Sequence, residues 1–283
     1  MRMVALLLTF ALPGLIQGAE SAPSVPDSVS VERNIRYSDF DQTVLDIYQP
    51  KAAASGKRPG VLVIHGGGWT GGRKDAVVSK YVLPWVEKGF VAANVEYRLA
   101  SVATAPAAIT DVLNAAEWFR NNARKYNVDP KRIVVTGDSA GGHLSLMVGM
   151  TPKSAKFGPT GNVAAVVDFY GITDVADQLQ GINMREYAVK WVPEQESRFE
   201  LASKVSPISY VRNDVPPILC IHGNADEVVP YEHSVQLVKA LRQARADAEL
   251  IPIPNGAHGF DDAQMNRLFP QIFAFLQRRG ILK

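Results

Sequence analysis

The sequence predicts an α/β fold, a mostly parallel sheet with helices packed on both faces. Two observations carry this. Short apolar, β-branched runs such as Val61-Leu62-Val63-Ile64 and Ile133-Val134-Val135-Thr136 alternate with longer stretches of helical periodicity. The glycine-rich and polar segments fall directly after those runs, at the carboxyl ends of the strands, where sheets of this kind bind ligands.

In chain order, 31–37 and 44–48 alternate apolar and polar residues and suit an antiparallel edge hairpin. Buried strands follow at 60–64, 91–95, 133–136, 164–169, 218–222 and 250–253. Helices fall at 76–87, 105–126, 141–150, 231–245 and 261–277. The longest interval without a strand, 170–217, includes Met184, Tyr187, Trp191 and Phe199 and reads as a small lid or wall over a pocket. No internal repeat or low-complexity segment interrupts the pattern.

Composition narrows the class. A chain of 283 residues with 47% hydrophobic and 20% charged residues suits a globular core. The formal net charge is +2 with mixed signs and no basic stripe, which argues against a nucleic-acid partner. The one cysteine, Cys220, lies inside an expected strand, so no intrachain disulfide forms. Arg2 precedes an apolar run from Val4 to Ile16, broken by Pro13 and Gly14 and followed by small and polar residues. That pattern reads as a secretory signal peptide, too short for a membrane span, which uncleaved would be a marginal membrane anchor. The expected organisation is a signal peptide at 1–18, a lead-in at 19–30 and one domain at 31–283, secreted or periplasmic.

The chemistry centres on Gly137-Asp138-Ser139-Ala140-Gly141, set between a strand and an apolar helix. A sharp turn there lifts the serine over the sheet edge, and the following helix aims its N–H groups at whatever lies beside it. A nucleophilic serine needs a base, an orienting acid and oxyanion donors, with chain order Ser, Asp/Glu, His. Of five histidines, His233 and His258 follow a suitable acid. His258 sits in a turn-rich loop after a strand and is the candidate base. His233 reads as an exposed or capping residue of a helix. Asp226 and Glu227 both occupy the loop after 218–222; Asp226 is favoured because a short carboxylate fixes an imidazole better. Upstream, His65-Gly66-Gly67-Gly68-Trp69 follows a buried strand, where bare backbone N–H groups meet a ligand closely. Ala140, after the serine, supplies another such donor. His65 precedes the serine and reads as a loop organiser, Asp138 as a partner of loop backbone, and His143 as an anchor of the turn. Trp69 either stacks on a sugar or aromatic acyl group or packs in the core; with Trp191 it is the candidate substrate-binding ring. No metal-ligand cluster is visible, and such a serine needs neither metal nor cofactor.

These motifs resemble the α/β-hydrolase superfamily, near the hormone-sensitive-lipase-like esterases. The fuller pattern joins the His65–Trp69 loop with Asn94-Val95-Glu96-Tyr97-Arg98-Leu99, Asp138-Ser139-Ala140-Gly141-Gly142-His143-Leu144 and His222-Gly223-Asn224-Ala225-Asp226. It is similar to the bifunctional acetylxylan/feruloyl-esterase-like group. The resemblance implies a mostly parallel, eight-stranded type of sheet. It also implies Ser139 as nucleophile, His258 as base, Asp226 as acid, and Gly67, Gly68 and Ala140 as oxyanion donors. Its substrates would be small-molecule or polysaccharide-borne acetyl or feruloyl esters. A general short-chain carboxylesterase and a kynurenine-formamidase-like amidase share parts of the pattern. Gibberellin receptors look like this fold with the histidine lost, whereas His258 is present here.

Overall fold

The computed structural model describes residues 23–283, so the signal peptide expected at 1–18 and the start of the lead-in lie outside the described residues. β1 (Val29–Arg36) and β2 (Val44–Pro50) form the expected antiparallel hairpin. After β3 (Arg58–Ile64) come a 3-10 turn (Lys74–Val77), a π-helical turn (Val78–Val82) and a short helix α1 (Leu83–Glu87), where the sequence reads as one helix over 76–87. Two features break that helix. Pro84 lacks the N–H that would continue the ladder. Lys74 is drawn inward, its buried ammonium 3.0 Å from Asp46 Oδ2.

The chain continues through β4 (Val91–Val95), α2 (Ala107–Asn121), β5 (Val128–Asp138), α3 (Ala140–Met150) and β6 (Ala165–Phe169). The interval that follows holds two 3-10 turns (Asp177–Leu179 and Gly181–Asn183), α4 (Glu186–Trp191), α5 (Arg198–Lys204) and a further 3-10 turn (Pro207–Tyr210). Then come β7 (Ile218–Gly223), α6 (Glu232–Gln243), β8 (Ala248–Ile253) and α7 (Asp262–Arg278). Asp261 caps α7, its carboxylate accepting the Gln264 N–H while the Gln264 side chain accepts its own. The helix therefore starts sharply just past His258. Among the described residues no helix is long and apolar enough to cross a membrane.

The eight strands form one sheet in the order β1-β2-β4-β3-β5-β6-β7-β8, with β2 antiparallel to β1 and β4 and the rest of the sheet parallel. β3 shows why both faces are covered. Leu62 and Ile64 join Ile109, Val112 and Leu144 on the side of α2 and α3. Val61 and Val63 join Trp85, Phe269 and Ile272 on the side of α1 and α7. Successive side chains of a strand point to opposite faces, so an unbroken apolar run supplies two cores at once.

Candidate active site

Ser139 sits between the end of β5 and the start of α3 with φ +53° and ψ −119°, a conformation costly for any residue with a side chain. The surroundings hold it there. Its N–H donates to the Phe169 carbonyl at 2.9 Å, and its carbonyl accepts the His143 N–H that opens the helix, also at 2.9 Å. A Cβ at Gly141 would strike the Ile64 and His65 carbonyls, so the first turn of α3 packs against β3 only as glycine. The first N–H groups of α3, Ala140 among them, have no acceptor within the helix and crown the serine.

The glycine-rich loop lies alongside. Gly66 donates its N–H to Asp138 Oδ1 at 3.0 Å, tying loop to turn. Burial pushes the Asp138 carboxyl up, and the Gly66 N–H opposes that rise. Gly67 has φ +119° and faces the Gly71 carbonyl so closely that no side chain fits. Gly67 and Gly68 open into the same cavity as Ser139 and His258, about 570 Å³ in volume. His65 braces the loop: Nδ1 is 2.7 Å from the Gly66 carbonyl, Nε2 is 3.0 Å from Glu96 Oε1, and the ring stacks on Tyr97.

Two distant loops bring the remaining groups to the serine. His258, past β8, places Nε2 2.9 Å from Ser139 Oγ and Nδ1 2.7 Å from Asp226 Oδ2. Asp226, past β7, uses its other oxygen to accept the N–H groups of Val228 and Val229 at 2.8 and 2.9 Å. Burial would raise this carboxyl, but His222, His258 and the backbone donors outweigh it and hold the carboxyl well below the usual range. Glu227 does not share the site; its side chain is exposed and its carbonyl accepts from Arg185 at 2.6 Å. Buried His222 backs the carboxylate, with Nε2 3.0 Å from the Val229 carbonyl and 3.4 Å from Asp226 Oδ2.

Two expectations need correction. Trp69 and Trp191 are fully buried and stack on each other at 4.2 Å beneath the loop, so neither faces the cleft. Trp69 donates its Nε1–H to His143 Nδ1 at 3.1 Å, and His143 donates from Nε2 to the Val205 carbonyl at 2.7 Å. Burial pushes His143 down to about 4, which leaves it neutral and able to play both parts. His233 is buried rather than exposed: its Nδ1 accepts the Thr173 N–H at 3.0 Å and its Nε2 lies 3.2 Å from Asp177.

Two lining residues of the cleft, Tyr170 and Tyr81, were not singled out in the sequence. Tyr170 packs its ring 4.8 Å from that of His258 and joins its hydroxyl to that of Tyr81 at 2.6 Å. Its position directly after β6, at the same sheet edge as the other loops, was the available signal. Tyr187 from α4 and Val228 line the same cavity.

A sheet that holds a strained serine at its centre and lowers a histidine loop onto it from beyond the last strand is the architecture of an α/β-hydrolase. Within that class, residues 45–241 match the BD-FAE family, and the chain belongs to it. Esterase LipC of Mycobacterium tuberculosis is 30% identical over 240 residues, covering 81% of this chain and 60% of its own length. The chain spans only 55% to 60% of the mycobacterial relatives it matches. A truncated form of a carbohydrate esterase from gut microbiota is 29% identical with a TM-score of 0.79, covering 92% of this chain and 100% of that one. A bifunctional GH43-CE from Bacteroides eggerthii is 26% identical with a TM-score of 0.76, covering 91% of this chain and 36% of that one.

Proposed function

We propose that this protein is a serine carboxylic-ester hydrolase acting on acetyl or feruloyl esters carried by carbohydrate. The observation that carries the reading is the continuous relay from Ser139 Oγ through His258 to Asp226, at 2.9 and 2.7 Å, opening beside Gly67 and Gly68. Ser139 Oγ attacks the ester carbonyl as His258 Nε2 takes its proton. Asp226 accepts from Nδ1, fixes the tautomer and stabilises the imidazolium. The N–H groups of Gly67, Gly68 and Ala140 receive the oxyanion, each worth about 3–4 kcal/mol of barrier. His258 then protonates the leaving alcohol, and water repeats the sequence on the acyl-enzyme. The carbohydrate esterases among its structural relatives support the substrate class, and the leader-like first 18 residues fit an exported enzyme. The likeness to LipC favours a second reading, a general short-chain esterase.

The test pairs wild type with Ser139→Ala on 4-nitrophenyl acetate, methyl ferulate, acetylated xylan and N-formylkynurenine. The serine mechanism predicts a loss of about 10^6-fold in kcat for the variant. Release of acetate or ferulate from the carbohydrate-type substrates supports the first reading, and turnover of the activated ester alone supports the second. Turnover confined to N-formylkynurenine would make the protein an amidase, and equal rates in the variant would remove the serine from the mechanism.

A further inference from the structure

The cleft beside Ser139 has a mixed lining. Tyr187 and Val228 contribute a ring and an aliphatic chain. The segment after the glycine-rich loop brings Arg73, Lys80 and Tyr81 to the same cavity.

Arg73 stands beside braced backbone, and Lys80 is held by its own side chain. Next to the exposed Arg73, Lys74 donates its N–H to Glu96 Oε2 at 3.0 Å and buries its ammonium against Asp46. Lys80 donates from Nζ to the Phe260 carbonyl at 2.8 Å, two residues past His258. That acceptor is uncharged, so the contact fixes the ammonium beside the site without neutralising it. The paired hydroxyls of Tyr81 and Tyr170 add to the wall. Burial raises both phenols, so both stay protonated; one donates to the other, and the second proton is left for a different acceptor. The carboxylate among the lining residues, Asp138, accepts the Gly66 N–H and is outnumbered by the two cationic side chains. A cleft whose wall carries donors and positive charge concentrates anions.

We propose that this cleft selects esters carrying a carboxylate close to the reacting carbonyl, such as a uronic acid unit, with Arg73 and Lys80 receiving that carboxylate. The inference rests on the serine-esterase reading and narrows its substrate class. The planar guanidinium matches a carboxylate with two parallel donors, and the ammonium adds a point charge. Tyr187 and Val228 are left for the uncharged part of the ester.

The test uses two chromogenic pairs. In 4-acetoxy-3-nitrobenzoate and its carboxamide the charge lies on the leaving group. In 4-nitrophenyl hydrogen adipate and the corresponding adipamate it lies on the acyl group. Rates are corrected for spontaneous hydrolysis, and Ser139→Ala is run on every substrate. In wild type, kcat/KM for the charged member of one pair should exceed that of its neutral partner by about tenfold or more. The ratio should shrink as salt is raised. It should fall toward unity in Arg73→Gln and in Lys80→Gln. Equal kcat/KM within both pairs, or a preference that survives both substitutions, overturns the proposal. Because the ratio is taken within one protein, a variant that only disturbs the His258 loop lowers both members together and counts against the charge assignment. Activity retained by Ser139→Ala would instead overturn the serine reading, whatever the ratio.

Discussion

Replacing Asp226 by asparagine separates the two jobs of its carboxylate. Oδ1 accepts the N–H groups of Val228 and Val229, and Oδ2 faces His258 at 2.7 Å and, more weakly, His222 at 3.4 Å. An amide fits in two ways. With its oxygen toward the backbone, both loop hydrogen bonds survive and the NH2 faces His258. Turned over, it sets an NH2 against two donors and forfeits two bonds to a neutral amide oxygen, worth roughly 0.5–1.5 kcal/mol each. The first orientation therefore wins. In it the amide donates to His258 Nδ1, which moves the ring proton to Nε2. Nε2 then donates to Ser139 Oγ instead of accepting from it, and the base is disabled with the architecture intact. An amide in place of the triad acid lowers kcat about 10^4-fold, or about 5.4 kcal/mol of barrier. The assay is kcat on 4-nitrophenyl acetate at neutral pH, with thermal unfolding measured alongside. We expect the loss in kcat with a melting temperature within a few degrees of wild type. A variant retaining more than about one-tenth of the wild-type kcat would refute the tautomer argument.

Asp168 is fully buried in β6 and accepts the Gly171 N–H at 2.9 Å, and burial raises its carboxyl from 3.8 to about 6. The folded state then binds the proton more tightly than the unfolded chain, so stability falls by roughly 3 kcal/mol as pH rises through the window from about 4 to 6. Urea unfolding across that window should show the slope in wild type and not in Asp168→Asn; identical slopes would contradict it. Trp191→Ala should cost about 3–5 kcal/mol, because the ring is fully buried against Trp69. Calorimetry should show Trp191→Phe recovering part of the loss. Gly141→Ala drives a Cβ into the Ile64 and His65 carbonyls and should cost about 1–3 kcal/mol of stability along with most of the activity. An alanine variant with native unfolding midpoint and native kcat would show that the turn has slack.

The sheet was legible because its strands are buried on both faces and read as unbroken apolar runs, and the loops that converge at its edge begin where those runs stop. That Ser139, Asp226 and His258 would meet at one sheet edge was legible that way, since strand ends fix loop positions before any contact is known. Orientation was not legible. Trp69 stands beside the glycine-rich loop in sequence, but its φ of +57° turns the ring under the loop onto Trp191. His233 looked exposed on an amphipathic helix, yet the chain after β6 folds back and buries it under Thr173 and Asp177. The helix expected over 76–87 failed partly at Pro84, which the sequence shows, and partly because the local pattern holds no trace of the Lys74–Asp46 pair, which joins residues far apart in the chain. The short helices of 170–217 are held by contacts such as Arg198 to the Val192 carbonyl and Arg185 to the Val228 carbonyl, and periodicity does not encode these.

The backbone at Ser139 has a consequence for engineering. A residue at φ +53° and ψ −119° costs about 1–3 kcal/mol that glycine would not incur, offset in part by roughly 0.5–1 kcal/mol of extra freedom in the unfolded chain. The molecule thus sits below its own stability ceiling because of the side chain it would use for chemistry. A library ranked on melting temperature alone would enrich Ser139→Gly and promote inert proteins, so any search for a hardier form must select on turnover and heat resistance together.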